Sequence, residues 1–262
     1  MSETEFLVLR LYGPLAAWGD VAVGEIRPVK IHPGKSALIG LLGAALGIRR
    51  DNTDVFRRMS DSYGFAVSDE GRKTRLRDFH TVQSAPVNKG KVYGSGYMMN
   101  RQRELSIPKK DLETTLTYRD YICDVVYTAA VWIKNGSDVP FSLEELRLGL
   151  REPVFVPYLG RKSCVLSRPM EPQIISAENP LQAILSAKFY GDSAQYAKDG
   201  KLYIYRRSSE NGDERCGQII YEGNWNIPSL TEEVVRDEPL SRTVWQFSTR
   251  RVKRASFCRG DA

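Results

Sequence analysis

A run of β-forming residues at positions 118–134, YRDYICDVVYTAAVWIK, is the feature that most constrains the fold. β-branched and aromatic residues at this density are typical of strands, and the run is much longer than an average strand. Three shorter strands and three helices are predicted around it: strands at residues 6–11, 63–67 and 73–82, and helices at residues 35–46, 54–62 and 143–150. The β-α-β-β-α order predicts an α+β protein with a ferredoxin-like domain, the scaffold of RNA-recognition (RRM) modules.

Two of the predicted helices begin with clear N-terminal signals. Ser142 is a preferred N-cap residue, and Glu145 three positions later completes a capping box. Further along, Asn179 precedes Pro180, and proline is favoured at the first position of a helix. These signals predict helix starts at residues 143 and 180, the second helix running through Leu185.

Glycine and proline positions indicate where elements end or approach one another. Gly13-Pro14 predicts that the first strand stops near residue 11. In the first helix, Gly40, Gly43 and Gly47 recur on roughly one face. Because glycine lowers helix propensity, this spacing predicts a close approach of the helix backbone to the sheet.

The C-terminal third gives weaker signals. Strands are predicted at residues 201–206 and 218–221, joined by a polar loop. The tail RRVKRASFCR carries five basic residues, which predicts a solvated end, with contact to RNA as the less favoured alternative.

Composition narrows the class of protein. Lys and Arg number 38 against 32 acidic residues, a net charge of +6, which is compatible with nucleic-acid binding but does not establish it. No apolar run reaches the ~20 residues that a membrane span needs, and MSETE does not begin a secretory signal. A soluble, cytoplasmic protein without membrane contact is expected.

Metal and cofactor sites are not predicted. The four cysteines, Cys123, Cys164, Cys216 and Cys258, form no C-x-x-C pair, and the chain has two histidines. Reduced thiols are expected, and no cofactor or metal is expected.

The segment Gly34-Lys35-Ser36, ahead of an apolar helix, raises the question of nucleotide binding. A phosphate loop needs a further glycine five residues before Gly34, and Val29 stands there. Hydrolysis of ATP or GTP is therefore not expected. Lys35 and Ser36 at a helix N-terminus could hold another phosphate, while the alternative is an ordinary N-cap with Lys35 in solvent.

A long insertion separates two predicted strands. Residues 83–117 mix basic side chains with aromatic and methionine side chains: Lys89, Lys91, Arg101, Arg103, Lys109 and Lys110 with Tyr93, Tyr97, Met98 and Met99. This mixture suits the gripping of a nucleic-acid backbone and the stacking of bases. The alternative is a mobile, solvated loop.

Six segments resemble one protein family when they are taken together in this order and spacing. They are LYGPLAAWGD (residues 11–20), IRPVKIHPGKSALIGLLGAALGIRRD (26–51), LRDFHTV (76–82), YRDYICD (118–124), VPYLGRKSCVL (156–166) and RDEP (236–239). The similarity is dense over residues 6–170. On these residues the chain resembles the CasD family, subunits of the type I-E CRISPR surveillance complex Cascade, within the RAMP superfamily.

The resemblance implies a subunit that does not cut RNA. Such a subunit caps the backbone filament of the complex and holds the 5′ handle of the guide RNA (crRNA), which a long β-hairpin thumb kinks. The implied partners are the crRNA 5′ handle, the CasC backbone subunit, the CasA large subunit and, through the complex, target DNA. The implied organisation is a ferredoxin-like RAMP domain over residues 1–165, with the thumb at about 83–117. A β-rich C-terminal extension, residues 166–262, is expected to pack on this domain.

The resemblance also implies an RNA-binding set. Its members offer cations, hydroxyls or close main-chain approach to RNA: Arg27, Lys35, Ser36, Arg77, His80, Lys89, Lys91, Arg101, Arg103, Arg119, Tyr158, Gly160, Arg161, Lys162 and Ser163. For Gly160 the alternative is a tight structural turn. For His80 it is a hydrogen-bonded structural histidine.

The alternative function is a metal-independent endoribonuclease that processes precursor crRNA, as CasD-like proteins of the type I-C system do. The resemblance implies that these type I-C proteins cleave RNA with a tyrosine and an adjacent Lys-His pair. Here neither His32 nor His80 has a lysine next to it in sequence. The sequence therefore favours the non-catalytic subunit.

Overall fold

The computed structural model describes residues 3–69, 73–84, 108–134, 138–189, 216–241 and 246–258, together with Gly136 and Val244. Within them, nine strands form one largely antiparallel sheet: β1 (Thr4–Ala16), β2 (Ile26–Arg27), β3 (Tyr63–Asp69), β4 (Thr74–Ser84), β5 (Glu113–Ile133), β6 (Gln173–Ala177), β7 (Cys216–Tyr221), β8 (Thr231–Ser241) and β9 (Gln246–Cys258). The helices of these residues are α1 (Lys35–Ala45), α2 (Thr53–Ser62), α3 (Leu143–Arg151) and α4 (Pro180–Ser186), with a 3-10 turn at Lys109–Asp111. The α+β prediction is confirmed at the level of helices and a large antiparallel sheet.

The long strand β5 organises the sheet, because its two halves pair with different neighbours. In the C-terminal half, Val131 pairs with Leu7 of β1 on one side and with Phe65 of β3 on the other. In the N-terminal half, Arg119 lies between Arg27 of β2 and β4. The full order is β6-β1-β5-β3-β7-β9-β8. The described residues after 166 thus extend the same sheet at both edges.

Both faces of the sheet are covered along the C-terminal half of β5, which explains why this half is apolar on both faces. Alternation along β1 sends Leu7 and Leu9 into a core with α1, α2 and α3. The intervening Phe6 and Val8 enter a second core with α4 and the ring of Trp132. The larger core supports α1, whose opposite side forms part of the candidate site described below.

The predicted helix starts are confirmed. The Ser142 hydroxyl accepts the Glu145 N–H at 3.2 Å, and the Glu145 carboxylate accepts the Ser142 N–H at 2.7 Å, which is a complete capping box. At α4, Asn179 Oδ1 accepts the Gln182 N–H at 2.9 Å, and Pro180 is the first helical residue. Both caps satisfy backbone donors that have no partner within the helix.

The prediction that the first strand stops before Gly13-Pro14 is wrong. β1 continues to Ala16, and Leu15 still pairs with Cys123 of β5. Proline is tolerated because this part of β1 lies beyond its last paired position with β6, at an edge. The facing stretch of β5 is also irregular, since Asp124 has a φ of 53°.

The prediction of a solvated C-terminal tail is also wrong. The tail forms β9, which lies between β7 and β8, and Val252, Ala255 and Phe257 are buried. Exposed and half-buried basic residues lie between these apolar ones and obscure the strand pattern. The strand predicted at 218–221 is confirmed within β7, whereas residues 201–206 lie outside the described residues.

The α1 glycines allow close packing, but not against the sheet as predicted. A Cβ on Gly43 would collide with the ring of Phe56 on α2. Gly47 has a φ of 73° and faces Val154 in the loop after α3. The small residues therefore bring a second helix and a loop close to α1. Among the described residues, no helix is long and apolar enough to cross a membrane.

Candidate nucleic-acid interface

A cleft of about 620 Å³ lies over the exposed side of α1. Small residues of α1 form its floor, and its walls come from the chain before β2, the loop after α3 and the β8–β9 hairpin. Three residues of the predicted set line it together, Ser36, Tyr158 and Gly160. Two cations, Lys30 and Arg236, line the same cleft together with two carboxylates, Asp20 and Asp237. Its volume lies within the ~300–1,000 Å³ of small-ligand pockets, a size class that includes nucleotides.

The turn at Gly160 is fixed by the protein's own main chain. Gly160 has a φ of 83°, and a Cβ there would collide with the carbonyl of Ala17 at the end of β1. The Ala17 N–H donates to the Leu159 carbonyl at 2.9 Å, which ties the turn to β1. The geometry therefore supports the alternative interpretation of Gly160, a tight structural turn. The turn in turn positions the three residues that follow it.

These residues join the ribbon of β2, β4 and β5 in one basic surface, defined as Arg27, Arg119, Arg161, Lys162 and Ser163. Arg27 and Arg119 are register partners on adjacent strands and share one face. The Arg161 guanidinium donates to the hydroxyl of Tyr121, two residues along β5 from Arg119. Lys162 and Ser163 are exposed beside it.

The guanidinium groups of Arg161 and Arg119 both lie close enough to the Cys164 thiol to lower its pKa. Burial raises the pKa of this thiol, while Ser163, Arg161 and Arg119 each act in the opposite direction. Arg161 and Arg119 come from segments about forty residues apart, so the fold concentrates their charge. Such a concentration suits phosphate groups, which guanidinium and ammonium donors bind strongly.

The predicted grouping of Arg77, His80 and Arg119 is divided by the alternation of β4. His80 and Arg119 lie on one face of the ribbon, where His80 Nε2 is 2.9 Å from Asp78 Oδ2. Arg77 lies on the other face and donates two hydrogen bonds to Asp120, at 2.7 and 3.0 Å. These bonds lower the pKa of the Asp120 carboxyl and raise that of Arg77. The three side chains therefore do not converge on one phosphate.

Lys35 is buried, which is incompatible with the predicted phosphate contact by its ammonium. Its side chain has 0% exposure, and Nζ lies 2.6 Å from Glu238 Oε1 and 3.7 Å from Glu222 Oε2. Burial lowers its pKa, and the two glutamates oppose that shift. The solvated alternative for Lys35 is also excluded by this burial.

The N-terminus of α1 does bind an anion, but the anion is an internal carboxylate. The Lys35 N–H donates to Asp237 Oδ2 at 2.9 Å, and Gly34 leaves room for this oxygen, since a Cβ would come within 2.6 Å of it. A β-bulge between Arg236 and Glu238 lets two successive residues of β8 face inward. Asp237 thus occupies the position that a phosphate would take.

Four members of the predicted set, Lys89, Lys91, Arg101 and Arg103, lie outside the described residues. Sequence reasoning did not select Phe79 and Tyr118, whose ring centroids lie 5.7 Å apart on the ribbon, with Phe79 exposed and Tyr118 half-buried. The alternating pattern of LRDFHTV was the available signal, because it places Phe79 on the face opposite His80. The described residues contain no group of three side chains suited to holding a metal ion.

Comparison of the chain with known proteins identifies its family. The chain matches the profile of the CRISPR-associated protein Cas5 family over residues 6–253, and it belongs to that family. It is similar to the CRISPR system Cascade subunit CasD of Escherichia coli (strain K12), with 37% identity over 189 residues, covering 69% of this chain and 76% of CasD. The resemblance predicted from sequence is therefore confirmed.

Two solved structures share the fold. A chain of a CRISPR RNA-guided surveillance complex has a TM-score of 0.64 and 26% identity, covering 97% of this chain and 90% of that one. A second, described as a Cas protein, has a TM-score of 0.55 and 19% identity, covering 97% and 96%, and shows the fold alone.

Proposed function

We propose that this chain is a non-catalytic Cascade-type subunit that binds the 5′ handle of the guide RNA. In this role it caps the backbone filament and helps assemble the complex for RNA-guided binding of foreign DNA in antiviral defence. One observation carries the proposal: the 158–163 segment joins the cleft over α1 to the basic surface. This path thus combines a cleft that can hold a nucleotide with exposed donors for the adjoining phosphates.

The strand order supports a ferredoxin-like RAMP core. Along the chain the elements β1, α1, β3, β5, α3 and β6 follow the β-α-β-β-α-β pattern. In space, β6-β1-β5-β3 are consecutive, with β1 and β5 at the centre. The cleft and the ribbon lie at the periphery of this core, where loops and insertions can contact RNA without disturbing it.

The proposed partners follow from the similarity to CasD and to the surveillance complex. They are the guide RNA, a CasC-type backbone subunit and a CasA-type large subunit, with target DNA reached through the complex in the cytoplasm. The similarity to a chain of an RNA-guided complex spans nearly the whole of both chains. The proposal therefore applies to the chain as a complex subunit, rather than to a stand-alone RNA-binding module.

The absence of catalysis is part of the proposal, although candidate groups approach each other in space. Lys73 Nζ donates to the Ile31 carbonyl at 3.0 Å and lies 4.1 Å from the ring centroid of Tyr127. His32 follows Ile31, and burial lowers its pKa to about 4. Tyr127 is fully buried, however, and its hydroxyl donates to the same carbonyl. A general base must reach the 2′-OH of RNA, and the buried Tyr127 hydroxyl cannot do so. The arrangement therefore supports a structural role for Tyr127.

The proposal is tested with the complex assembled from the full chain, its cognate subunits and guide RNA. Lys162→Ala and Arg119→Ala should each weaken retention of guide RNA and make the salt dependence shallower by roughly 0.7 in log–log slope. Arg57→Ala, which removes an exposed arginine on α2, is the matched control. Unchanged RNA retention and slope in the Lys162/Arg119 double variant would refute the proposal.

A further inference from the structure

An exposed apolar row crosses the three-stranded part of the ribbon. Ile26 of β2 pairs with Tyr118 of β5, which also pairs with Phe79 of β4. Register partners share a face, so the three side chains form one line across the strands. Phe79 is 55% exposed and Ile26 is 42% exposed. The Phe79 and Tyr118 rings are inclined by 59°, so Tyr118 supports Phe79 from the side rather than covering it.

A cation is fixed beside this row on the same face. Arg77 lies two residues from Phe79, and its guanidinium donates to both oxygens of Asp120 at 2.7 and 3.0 Å. Its side chain nevertheless remains 52% exposed. The bidentate contact holds the guanidinium plane in place, so that a group lying on Phe79 would have a positive charge next to it.

The two faces of the ribbon therefore differ in chemistry. Arg27, Arg119 and His80 lie on one face, and Ile26, Tyr118 and Phe79 lie on the other. A strand of RNA that passes the edge of the ribbon could place phosphates against the first face and a base against the second. Exposed aromatic rings on antiparallel strands are the common platform for unpaired RNA bases, because every base has a π-face.

We propose that Phe79, supported by Tyr118 and Ile26, stacks one unpaired base of the bound RNA. The proposal rests on the proposed function, since guide RNA is the strand that supplies the base. Arg77 contributes as the fixed cation at the edge of the stacked base, where it can contact the adjoining phosphate. None of these three apolar residues is needed for the basic surface, so the platform is a separate contact.

An RNA base fits this row better than a protein surface does. Three adjacent strands span only ~10 Å, which is the width of a base rather than of a protein interface. Charged residues are depleted at the centre of protein interfaces, whereas Arg77 and Asp120 directly adjoin Phe79. Aromatic rings interleaved with arginine are instead typical of single-strand binding sites.

The test uses the assembled complex and synthetic guide RNA that carries 4-thiouridine at single positions. Phe79→Ala should weaken guide RNA binding about 5- to 150-fold, the range of one base–aromatic stack. The salt slope should not change, because stacking neutralises no phosphate. Phe79→Trp should retain binding, and Val82→Ala, which truncates an exposed apolar residue on the opposite face of β4, should match wild type. Photocrosslinks should map to β4 at one RNA position and be lost in Phe79→Ala.

The outcomes are distinct. Wild-type binding by Phe79→Ala, with the same crosslinks, would overturn the platform and leave the proposed function intact. Normal RNA binding with reduced incorporation of another subunit would show that a protein covers this face, which also overturns it. Failure of the wild-type complex to bind guide RNA would instead refute the proposed function on which the platform depends.

Discussion

Arg250 of β9 donates two hydrogen bonds to Asp237 of β8, at 2.6 and 2.9 Å. Asp237 also accepts the Lys35 N–H at the start of α1, so this ion pair ties the β8–β9 hairpin to the helix under the cleft. Arg250 continues to Glu222 at 3.0 Å, and Glu222 reaches the Lys35 ammonium. The segment that looks like a phosphate cradle is therefore the centre of an internal charge cluster.

Removal of Arg250 should strongly destabilise the fold. Arg250→Ala leaves Asp237 and Glu222 buried without their guanidinium partner, and loss of one member of a buried pair costs about 3–5 kcal/mol. The free energy of unfolding in urea measures this loss. Arg251→Ala is the control, because Arg251 is 82% exposed and its contact with Glu232 is worth at most about 1 kcal/mol. Equal losses in the two variants would contradict the role of the cluster.

Acid should weaken the same cluster. Burial raises the pKa of the Asp237 and Glu238 carboxyls. Hydrogen bonds outweigh burial, from Arg250 to Asp237 and from Lys35 and Ser60 to Glu238, so both pKa values are lowered. The unfolded chain then binds protons more readily than the folded protein. The contribution to stability is therefore fully present above the ordinary values, 3.8 and 4.5, and is lost as pH falls from these values through the lowered pKa values of the folded protein.

The measurement is urea unfolding between pH 7 and pH 3. Wild type should lose stability progressively below about pH 5. Asp237→Asn combined with Glu238→Gln should give a protein of lower stability at pH 7 and a shallower decline in acid. A decline of equal slope in wild type and the double variant would exclude these carboxyls as the source.

Gly160→Ala should lower the free energy of unfolding by more than the backbone conformation of Gly160 alone explains. Gly160 and Gly136 both have positive φ, 83° and 73°. Among the described residues no heavy atom lies within 4 Å of the Cβ position of Gly136, whereas that of Gly160 collides with Ala17. Gly136→Ala should cost about 1–2 kcal/mol, and Gly160→Ala about 1–3 kcal/mol more. Thermal unfolding gives both values, and similar losses would contradict the close contact with β1.

Incubation of the purified chain with precursor guide RNA in EDTA should yield no cleavage. The reason is that the Tyr127 hydroxyl is buried and bonded to the Ile31 carbonyl, so RNA cannot reach it. Gel analysis over several hours measures this, and it compares wild type, purified free of contaminating ribonuclease, with Tyr127→Phe. Site-specific cleavage by wild type that is lost in Tyr127→Phe would establish the endoribonuclease alternative.

The sequence predicts those features that depend on near neighbours along the chain. The capping box of Ser142 and Glu145 needs a spacing of three residues, and the run at 118–134 shows the strand character of most of β5. The first five residues of β5, 113–117, fall in the predicted insertion instead. The assignment of Lys35 failed because its partners, Glu222 and Glu238, lie about two hundred residues away. A local G-K-S pattern cannot show that a carboxylate from a distant hairpin caps the helix.

The candidate site shows the same division. The segment that contains Gly160 and Arg161 could be selected from sequence, because its glycine and donors are contiguous. Its contact with Tyr121 of β5 and its place beside the cleft depend on the folded sheet. The Phe79–Tyr118 pair required the register of β4 against β5, which the sequence does not contain in any single segment.

The most direct measurement is to isolate the tagged chain from its native host and sequence the RNA that accompanies it. A subunit that holds the guide RNA handle should recover short RNAs with one common, repeat-derived 5′ end, together with the other subunits of the complex. The Lys162/Arg119 double variant should recover much less RNA, while Arg57→Ala should match wild type. Recovery of RNAs with no shared 5′ end, or of the chain without RNA, would contradict the proposed function.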